Sequence, residues 1–220
     1  MGVLSLLLLA ALIFVVGNLV LLPLWLAATT LAGALHAPGQ FLSIAGNRRL
    51  RQNHALEHAT LNVLTERHGP PRLSGLAREG GFVLKGFADP ESVRAAAEEG
   101  LTRLKLGERS LAIHDRCGTS MAAANLMASV FLLVALLGLG RLSLVNVILV
   151  MLLANLSGPA FGRLFQRFLT TTTDVKDVFI IGFECGVEQS GWPVFLVNPA
   201  HAGVPVVCFV RTALLRPYGG

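Results

Sequence analysis

Charged residues are scarce in this sequence, and its amino-terminal part has none. Only 14% of the 220 residues are charged, while 53% are hydrophobic, and the stretch from Met1 to Asn47 contains no Lys, Arg, Asp or Glu. Soluble domains carry about 25% charged residues. The composition, with a mean hydropathy of +0.64, therefore argues against a soluble globular protein and predicts a membrane protein.

Three charge-poor stretches predict an α-helical membrane protein with about three transmembrane helices. The first lies in residues 1–47, an amino-terminal transmembrane anchor, and the other two form a transmembrane hairpin in residues 118–170, whose turn holds Arg141. The positive charges of residues 48–51 follow the first apolar run, whereas a signal peptide begins with its positive charges. We therefore expect a retained anchor rather than a cleaved leader.

Most Lys and Arg residues lie between residues 48 and 116, and the positive-inside rule places that stretch in the cytoplasm. The protein is then a multi-pass protein of the cell membrane, with the lipid bilayer as its partner and its soluble part cytoplasmic. Residues 48–117 form a cytoplasmic α/β segment, and residues 171–220 form a β-rich tail on the same side. We expect the two to pack together as a small split α/β layer, and a homo-oligomer is compatible with this arrangement.

Cysteines and large aromatic residues are also few, which excludes two further classes of protein. The cysteines Cys117, Cys185 and Cys208 all fall on the predicted cytoplasmic side, where thiols stay reduced, so no disulfide framework is expected. The net charge of +5 could attract nucleic acid, but the chain has one Tyr and two Trp and does not interleave basic with aromatic residues. No nucleic-acid partner is predicted.

The soluble stretches predict alternating helices and strands. A first helix runs from about Arg48 to Arg67, and a second follows the start signal Asp89-Pro90-Glu91 and continues to about Leu106. Runs of β-branched and aromatic residues bounded by Gly, Pro or Asn predict the strands. These strands are Gly81–Phe87, Ser110–His114, Val178–Gly186, Val194–Val197 and Val206–Val210.

Two clusters of residues are suited to metal chemistry. In His54-Ala-Leu-Glu57-His58 the two histidines are four residues apart, so on a helix all three polar side chains project from one face. Such a histidine pair can bind Zn²⁺ while the intervening carboxylate polarises a water molecule, and this residue order is that of the inverzincins. Downstream, His114-Asp-Arg-Cys117 offers two more ligands. Together the clusters predict a metal centre bound by His54, His58, His114 and Cys117, with Glu57 as the catalytic residue.

Each cluster also has a structural interpretation. A histidine on an apolar helix face is more often a satisfied core residue than a ligand, and Cys117 can be a small buried residue at the start of a membrane helix. The occurrence of His-x-x-Cys downstream of two histidines and a glutamate favours the metal centre. Whether Cys117 or a water molecule is the fourth ligand stays open.

Three motifs, in the same order, resemble the YqhQ-like family of bacterial membrane proteins. They are His54-x-x-Glu57-His58, His114-x-x-Cys117-Gly-Thr-Ser120 and Gly162-Arg-Leu-Phe-Gln166-Arg-Phe-Leu-Thr170-Thr171. Proteins of that family are described as predicted metal-dependent enzymes. The resemblance implies a multi-pass bacterial membrane protein whose metal is bound by His54, His58 and His114, with Cys117 as a further candidate ligand and Glu57 as the carboxylate. It implies no substrate.

Three functions fit these residues. In the first, the protein is a membrane-bound zinc-dependent hydrolase that acts on a peptide or protein, with Glu57 as general base. The alternative is a non-catalytic membrane scaffold or assembly factor with a structural metal site, which a closed shell of four ligands would favour. The third is passage of an ion or proton, and the lack of charged residues within the predicted spans argues against it.

Overall fold

The computed structural model describes residues 41–70, 72–115, 117–139, 144–187 and 204–214, with scattered helical positions between residues 6 and 39. Most of the predicted anchor, residues 1–47, and the whole predicted strand Val194–Val197 lie outside the described residues. The chain divides into two compact units. The helical unit comprises Met1–Gln40 and Ser120–Gly162, and the α/β unit comprises Phe41–Thr119 and Arg163–Gly220.

The α/β unit contains two long helices, two short helical turns and one sheet. The helices are α1 (Arg48–His68) and α2 (Pro90–Lys105), and the turns are a 3-10 turn (Arg109–Ala112) and a π-helical turn (Gln166–Thr170). The strands are β1 (Arg72–Arg78), β2 (Gly81–Ala88), β3 (Val178–Val187) and β4 (Val204–Leu214). All four pair antiparallel, in the order β1-β2-β4-β3. The sheet therefore joins a strand pair from the middle of the chain to a pair from its carboxyl-terminal part.

The core of the α/β unit lies between the sheet and the two helices. Alternate residues of the central strands point into it, because successive side chains of a strand point to opposite faces. Five of these residues are at most 2% exposed: Phe82, Leu84, Val206, Cys208 and Val210. Helix α2 approaches α1 closely at Gly100, where a Cβ atom would lie 3.1 Å from the Cβ atom of Ala59.

Both helices begin at a residue whose side chain accepts a hydrogen bond from the first turn. Asn47 accepts from the amide nitrogen of Leu50 at 3.0 Å, and Asp89 accepts from the amide nitrogen of Ser92 at 2.9 Å. Such caps satisfy amide groups that have no partner within the helix. Helix α1 ends at Gly69, whose φ of 77° suits glycine. The helix starts predicted near Arg48 and at Asp89 are thus confirmed.

Two apolar helices, α3 (Gly118–Leu139) and α4 (Leu144–Phe165), supply the later part of the helical unit. They meet through small residues. A Cβ atom at Gly158 would lie 2.6 Å from the Cβ atom of Ala124, and one at Gly162 would lie 2.6 Å from the hydroxyl of Ser120. Because residue numbers rise along one helix as they fall along the other, α3 and α4 run antiparallel.

The prediction of about three transmembrane helices is wrong, and the fold is mixed α/β. Of the described helices, one, Val145–Thr170, is long and apolar enough to cross a membrane by length and composition. The apolar stretch of α3 is Ser120–Ala135. The prediction rested on the lack of charged residues, and an apolar helix packed inside a protein lacks them as well.

The segment Ser110–His114 is not the predicted strand. A 3-10 turn occupies Arg109–Ala112, and side chains satisfy the backbone groups that a strand would use for pairing. Asn62 Nδ2 donates to the carbonyl oxygens of Leu111, at 3.0 Å, and Ile113, at 2.8 Å. The β-like composition of this segment therefore reflects burial rather than strand pairing.

The expectation that the cysteines remain thiols is wrong for two of them. Cys185 on β3 and Cys208 on β4 form a disulfide. The strand register places them directly opposite each other, with their Cα atoms 4.1 Å apart, and such proximity is what a disulfide requires. The sequence alone does not reveal this register.

Candidate metal centre

The π-helical turn orients His54, which is 7% exposed. Its Nδ1 atom lies 2.9 Å from the carbonyl oxygen of Thr170. Because a carbonyl oxygen can only accept, Nδ1 carries the proton and donates it, and Nε2 keeps its lone pair. Nε2 lies 3.3 Å from the sulfur of Cys117. The tautomer of His54 is thus set for binding through Nε2.

The 3-10 turn orients His58 in the same way. Its Nδ1 atom lies 2.8 Å from the carbonyl oxygen of Ala112 and therefore donates to it. The ring is fully buried, and no residue that the structure describes makes a hydrogen bond to Nε2. Burial also lowers the pKa of His58 to about 4. The ring is neutral at neutral pH and holds a buried lone pair, which is the form that binds a metal.

His54, His58 and Cys117 come together as one cluster. One ligand atom from each lies within 4.8 Å of the others, and all three residues are buried. Histidines that bind metal usually donate their second ring N–H to a carbonyl or carboxylate, as both do here. Zinc is bound at about 2.0–2.1 Å by nitrogen and about 2.3 Å by sulfur. The spacing of the cluster and the unsatisfied Nε2 of His58 fit a bound metal ion.

Glu57 lies beside this cluster, on the side of strand β1. It is 4% exposed, and its carboxylate fills the space above Gly75, where a Cβ atom would overlap it. Burial raises the pKa of Glu57 well above its usual value, and nearby Cys117 raises it further, while a backbone hydrogen bond from Ala77 acts in the opposite direction. Glu57 can therefore hold a proton under conditions in which an exposed glutamate is ionised.

His114 lies next to the cluster but outside it. Its ring centroid is 6.0 Å from that of His58, and its Nδ1 atom lies 2.7 Å from Asn62 Oδ1. Gln166 accepts from the His114 amide nitrogen at 2.8 Å and donates to its carbonyl oxygen at 3.0 Å. Of the predicted ligands, the structure thus brings together His54, His58 and Cys117 and places His114 at the edge of the site.

Asn62 and Gln166 also shape the site, and neither was among the residues predicted from the sequence. Asn62 follows His58 by four residues and His54 by eight, so the three form one polar stripe along α1. That spacing was the available signal. Gln166 is fully buried and belongs to the third motif, but only the folded chain shows that it bonds to His114.

A cavity of about 520 Å³ borders the site on the His114 side. Its lining is mixed, with Thr65 and Leu73 on one side and the ion pair between Asp115 and Arg163, at 3.2 Å, on another. Asn62 and His114 also line it, whereas the three clustered ligands do not. His114 therefore lies between the cavity and the cluster.

Comparison with known proteins identifies a family that matches this chain, but the description of that family states no activity. The family model described as a domain of unknown function (DUF6391) matches residues 49–182, which include all five predicted site residues. An 89-residue alignment is 40% identical to an uncharacterized protein of Picosynechococcus sp. (strain PCC 7002), and it covers 36% of this chain and 43% of that relative. No solved structure matches significantly. These matches support a bacterial family of unknown function, as the resemblance implied, but they do not support the YqhQ-like assignment.

Proposed function

Since the chain belongs to the family of the domain of unknown function DUF6391, whose description states no activity, we propose its function from the site. His54, His58 and Cys117 bind a zinc ion, and the protein is a zinc-dependent hydrolase. One observation carries the proposal. Both buried histidines donate Nδ1–H to a backbone carbonyl, which leaves both Nε2 atoms for a ligand beside the same buried sulfur.

The proposed ligand set suits zinc. Thiolate and imidazole are ligands that zinc accepts readily, whereas magnesium and calcium favour oxygen. Three protein ligands leave a fourth position, which is the pattern of catalytic zinc sites. A zinc ion held there would act as a Lewis acid and lower the pKa of a water molecule.

Glu57 is the general base of the proposed reaction. Its carboxyl is buried beside Cys117, and burial raises its pKa, which makes its carboxylate a stronger proton acceptor than an exposed one. The contact with Gly75 fixes the carboxylate against strand β1. Glu57 would accept a proton from the attacking water and return it to the leaving group.

The proposed substrate is a peptide or another amide. The order His-x-x-Glu-His is that of a class of metallopeptidases, and a hydrolysed amide needs the proton that Glu57 can supply. The cavity of about 520 Å³ beside His114 falls within the roughly 300–1,000 Å³ that is usual for ligand pockets. Asn62 and His114 line this cavity, and Asn62 Oδ1 holds the His114 ring through its Nδ1 atom.

We also propose that the protein is attached to the cell membrane. The length and composition of the apolar helix Val145–Thr170 support attachment. The Lys and Arg residues of the α/β unit favour the cytoplasmic side, whereas the Cys185–Cys208 disulfide favours an oxidising compartment. A cysteine introduced at exposed Arg78 would decide between them in intact cells, because an impermeant thiol reagent labels it only if the α/β unit faces outwards.

A structural metal site in a scaffold or assembly factor is the second candidate. The burial of His54, His58 and Cys117 favours it, since closed sites hold their metal away from solvent. In that case His114 or a further protein group would complete the ligand shell. The metal would then stabilise the α/β unit without turnover.

Replacing Glu57 by Gln separates the two candidates. In a hydrolase, Glu57→Gln keeps the shape of the side chain and most of the bound metal but removes the base, so complementation of a deletion strain is lost. In a scaffold, Glu57 supports a ligand, so the same change loosens the metal and lowers the melting temperature. His54→Ala loses metal under both readings and is the control. A Glu57→Gln protein that keeps its metal, its stability and full complementation would contradict the catalytic assignment.

A further inference from the structure

Three arginines line a second cavity of about 410 Å³ in the α/β unit. Arg51 comes from α1, Arg109 from the 3-10 turn and Arg167 from the π-helical turn. No acidic residue lines this cavity. Ser110 and Ile113 line both this cavity and the cavity beside His114, so the two cavities adjoin the same short stretch of chain.

The three arginines differ in their exposure and in the contacts that they make. The guanidinium of half-buried Arg51 donates to the carbonyl oxygen of Thr171 at 3.0 Å, which fixes its position. Arg109 and Arg167 are exposed, and Arg167 lies 5.5 Å from the ring centroid of Phe168. Within the described ranges, none of the three forms an ion pair, in contrast to Arg48, which pairs with Asp174 at 2.8 Å.

Hydroxyl groups complete the lining of this cavity. Ser110, Thr172 and Thr173 contribute to it beside the arginines. Guanidinium groups present several N–H donors in a plane that matches the oxygens of phosphate, and hydroxyls add further donors. Three cations that share one concave surface repel each other unless an anion lies between them. The cavity therefore has the charge and the donors of an anion site.

We propose that this cavity binds a phosphate group. Its volume of about 410 Å³ is within the roughly 300–1,000 Å³ of ligand pockets, so the phosphate can belong to a small phosphomonoester or to the headgroup of a phospholipid. The site is independent of the metal centre, since it shares none of the three clustered ligands. The two sites are linked through Ala112, which lines the cavity and whose carbonyl oxygen accepts from His58.

Calorimetric titration of the full chain in a neutral detergent tests the proposal. The probes are inorganic phosphate and dihexanoyl phosphatidic acid, a short-chain lipid that carries the same group. The variant is Arg109→Gln with Arg167→Gln, because both side chains are exposed and Arg51 supports the fold. The matched control is Arg72→Gln with Arg94→Gln, which removes two exposed charges from α/β elements outside the cavity. Chelator-treated protein is used throughout, because phosphate also binds metal ions.

We expect saturable binding of at least one probe by the wild type and by the control pair. The Arg109→Gln, Arg167→Gln variant should bind at least tenfold more weakly, and its Arg→Lys counterpart should recover part of the affinity. Equal affinity for both probes would identify a free phosphate as the ligand, whereas preference for the lipid would identify a headgroup. Absence of saturable binding by the wild type, or the same affinity for both double variants, would overturn the proposal.

Discussion

The two long helices of the α/β unit differ in whether their polar residues are buried or exposed. Helix α2 buries no charged side chain: its buried residues are Val93, Ala96, Ala97, Gly100, Leu101 and Leu104, and its charges pair at the surface, as Arg94 does with Glu98 at 3.2 Å. Helix α1 buries six polar side chains, which are Gln52, Asn53, His54, Glu57, His58 and Thr60. Since both helices pack on the same sheet, the core alone does not explain the sequence of α1.

The buried polar residues of α1 each need a partner, because an unsatisfied buried group costs about 1–3 kcal/mol. Most have one in the protein. Gln52 donates to the carbonyl oxygen of Asp174 at 2.8 Å, and Asn53 donates to that of Arg78 at 2.6 Å. Among the described residues, two atoms of these side chains remain without a hydrogen-bond partner, Gln52 Oε1 and His58 Nε2. Helix α2 thus buries only apolar residues, whereas α1 also carries the buried polar residues at which we propose a metal site.

The largest expected effect comes from His58 on α1, which should make the free energy of unfolding of the metal-free protein depend on pH. The pKa of His58 is about 4 in the folded state and about 6.5 in an unfolded chain. Between these values the unfolded state binds more protons, so the free energy of unfolding falls as the pH is lowered from about 6.5 to about 4, by about 3 kcal/mol. Glu57 contributes in the opposite direction. Because its pKa is raised in the folded state, lowering the pH increases its contribution to the free energy of unfolding.

The measurement is the denaturant midpoint of chelator-treated protein at neutral pH and near pH 4.5. His58→Gln isolates the contribution of His58, because the amide can still donate to Ala112. Wild type should lose more stability on acidification than His58→Gln does. Parallel pH profiles would show that His58 is protonated as readily as an exposed histidine.

A smaller effect is expected from filling the space above Gly75. Its φ is not in the left-handed region, but an added Cβ atom would overlap the carboxylate of Glu57. Gly75→Ala should therefore displace Glu57 and lower the free energy of unfolding by about 2 kcal/mol. Gly80→Ala is the matched control, since no atom lies within 4 Å of its added Cβ. Thermal unfolding of the two variants measures the difference, and equal melting temperatures would mean that Glu57 is not fixed where we place it.

The smallest effect is expected at the surface of α2. Arg94 pairs with Glu91 and Glu98, and all three side chains are substantially exposed. Solvent screens exposed ion pairs, so they contribute little to stability. Arg94→Ala should therefore shift the denaturant midpoint little and leave the metal content unchanged. If Arg94→Ala lowered the stability as much as Gly75→Ala does, the surface charges of α2 would matter as much as the buried polar residues of α1.

The sequence predicted those parts of the fold whose signals are local. Helix α2 was found because Asp89, Pro90 and Glu91 together mark a helix start, and strands β2 and β3 were found from continuous apolar runs that the core requires. Strand β1 was missed because it lies at the edge of the sheet and its residues are mostly exposed. It therefore has no alternation of apolar and polar residues to detect.

Only the part of the candidate site that lies within one turn of helix α1 could be predicted from the sequence. The spacing of His54, Glu57 and His58 follows from helix geometry, and their placement on α1 is confirmed. The position of His114 depends on how the chain between α2 and α3 turns, and Gln166 sets that turn from a distant part of the chain. The disulfide between Cys185 and Cys208 depends on strand register. Contacts of this kind are properties of the tertiary structure, and spacing along the sequence does not contain them.

We propose that His54, His58 and Cys117 bind a metal ion, and the metal content of the purified protein decides whether they do. Elemental analysis of the purified full chain should give about one zinc per molecule for the wild type and for Arg94→Ala. His54→Ala, His58→Ala and Cys117→Ala should each retain little or none, while His114→Ala should keep most of its zinc because its ring lies outside the cluster. A wild type without stoichiometric metal after expression in zinc-supplemented medium, or ligand variants that retain as much metal as Arg94→Ala, would contradict the account.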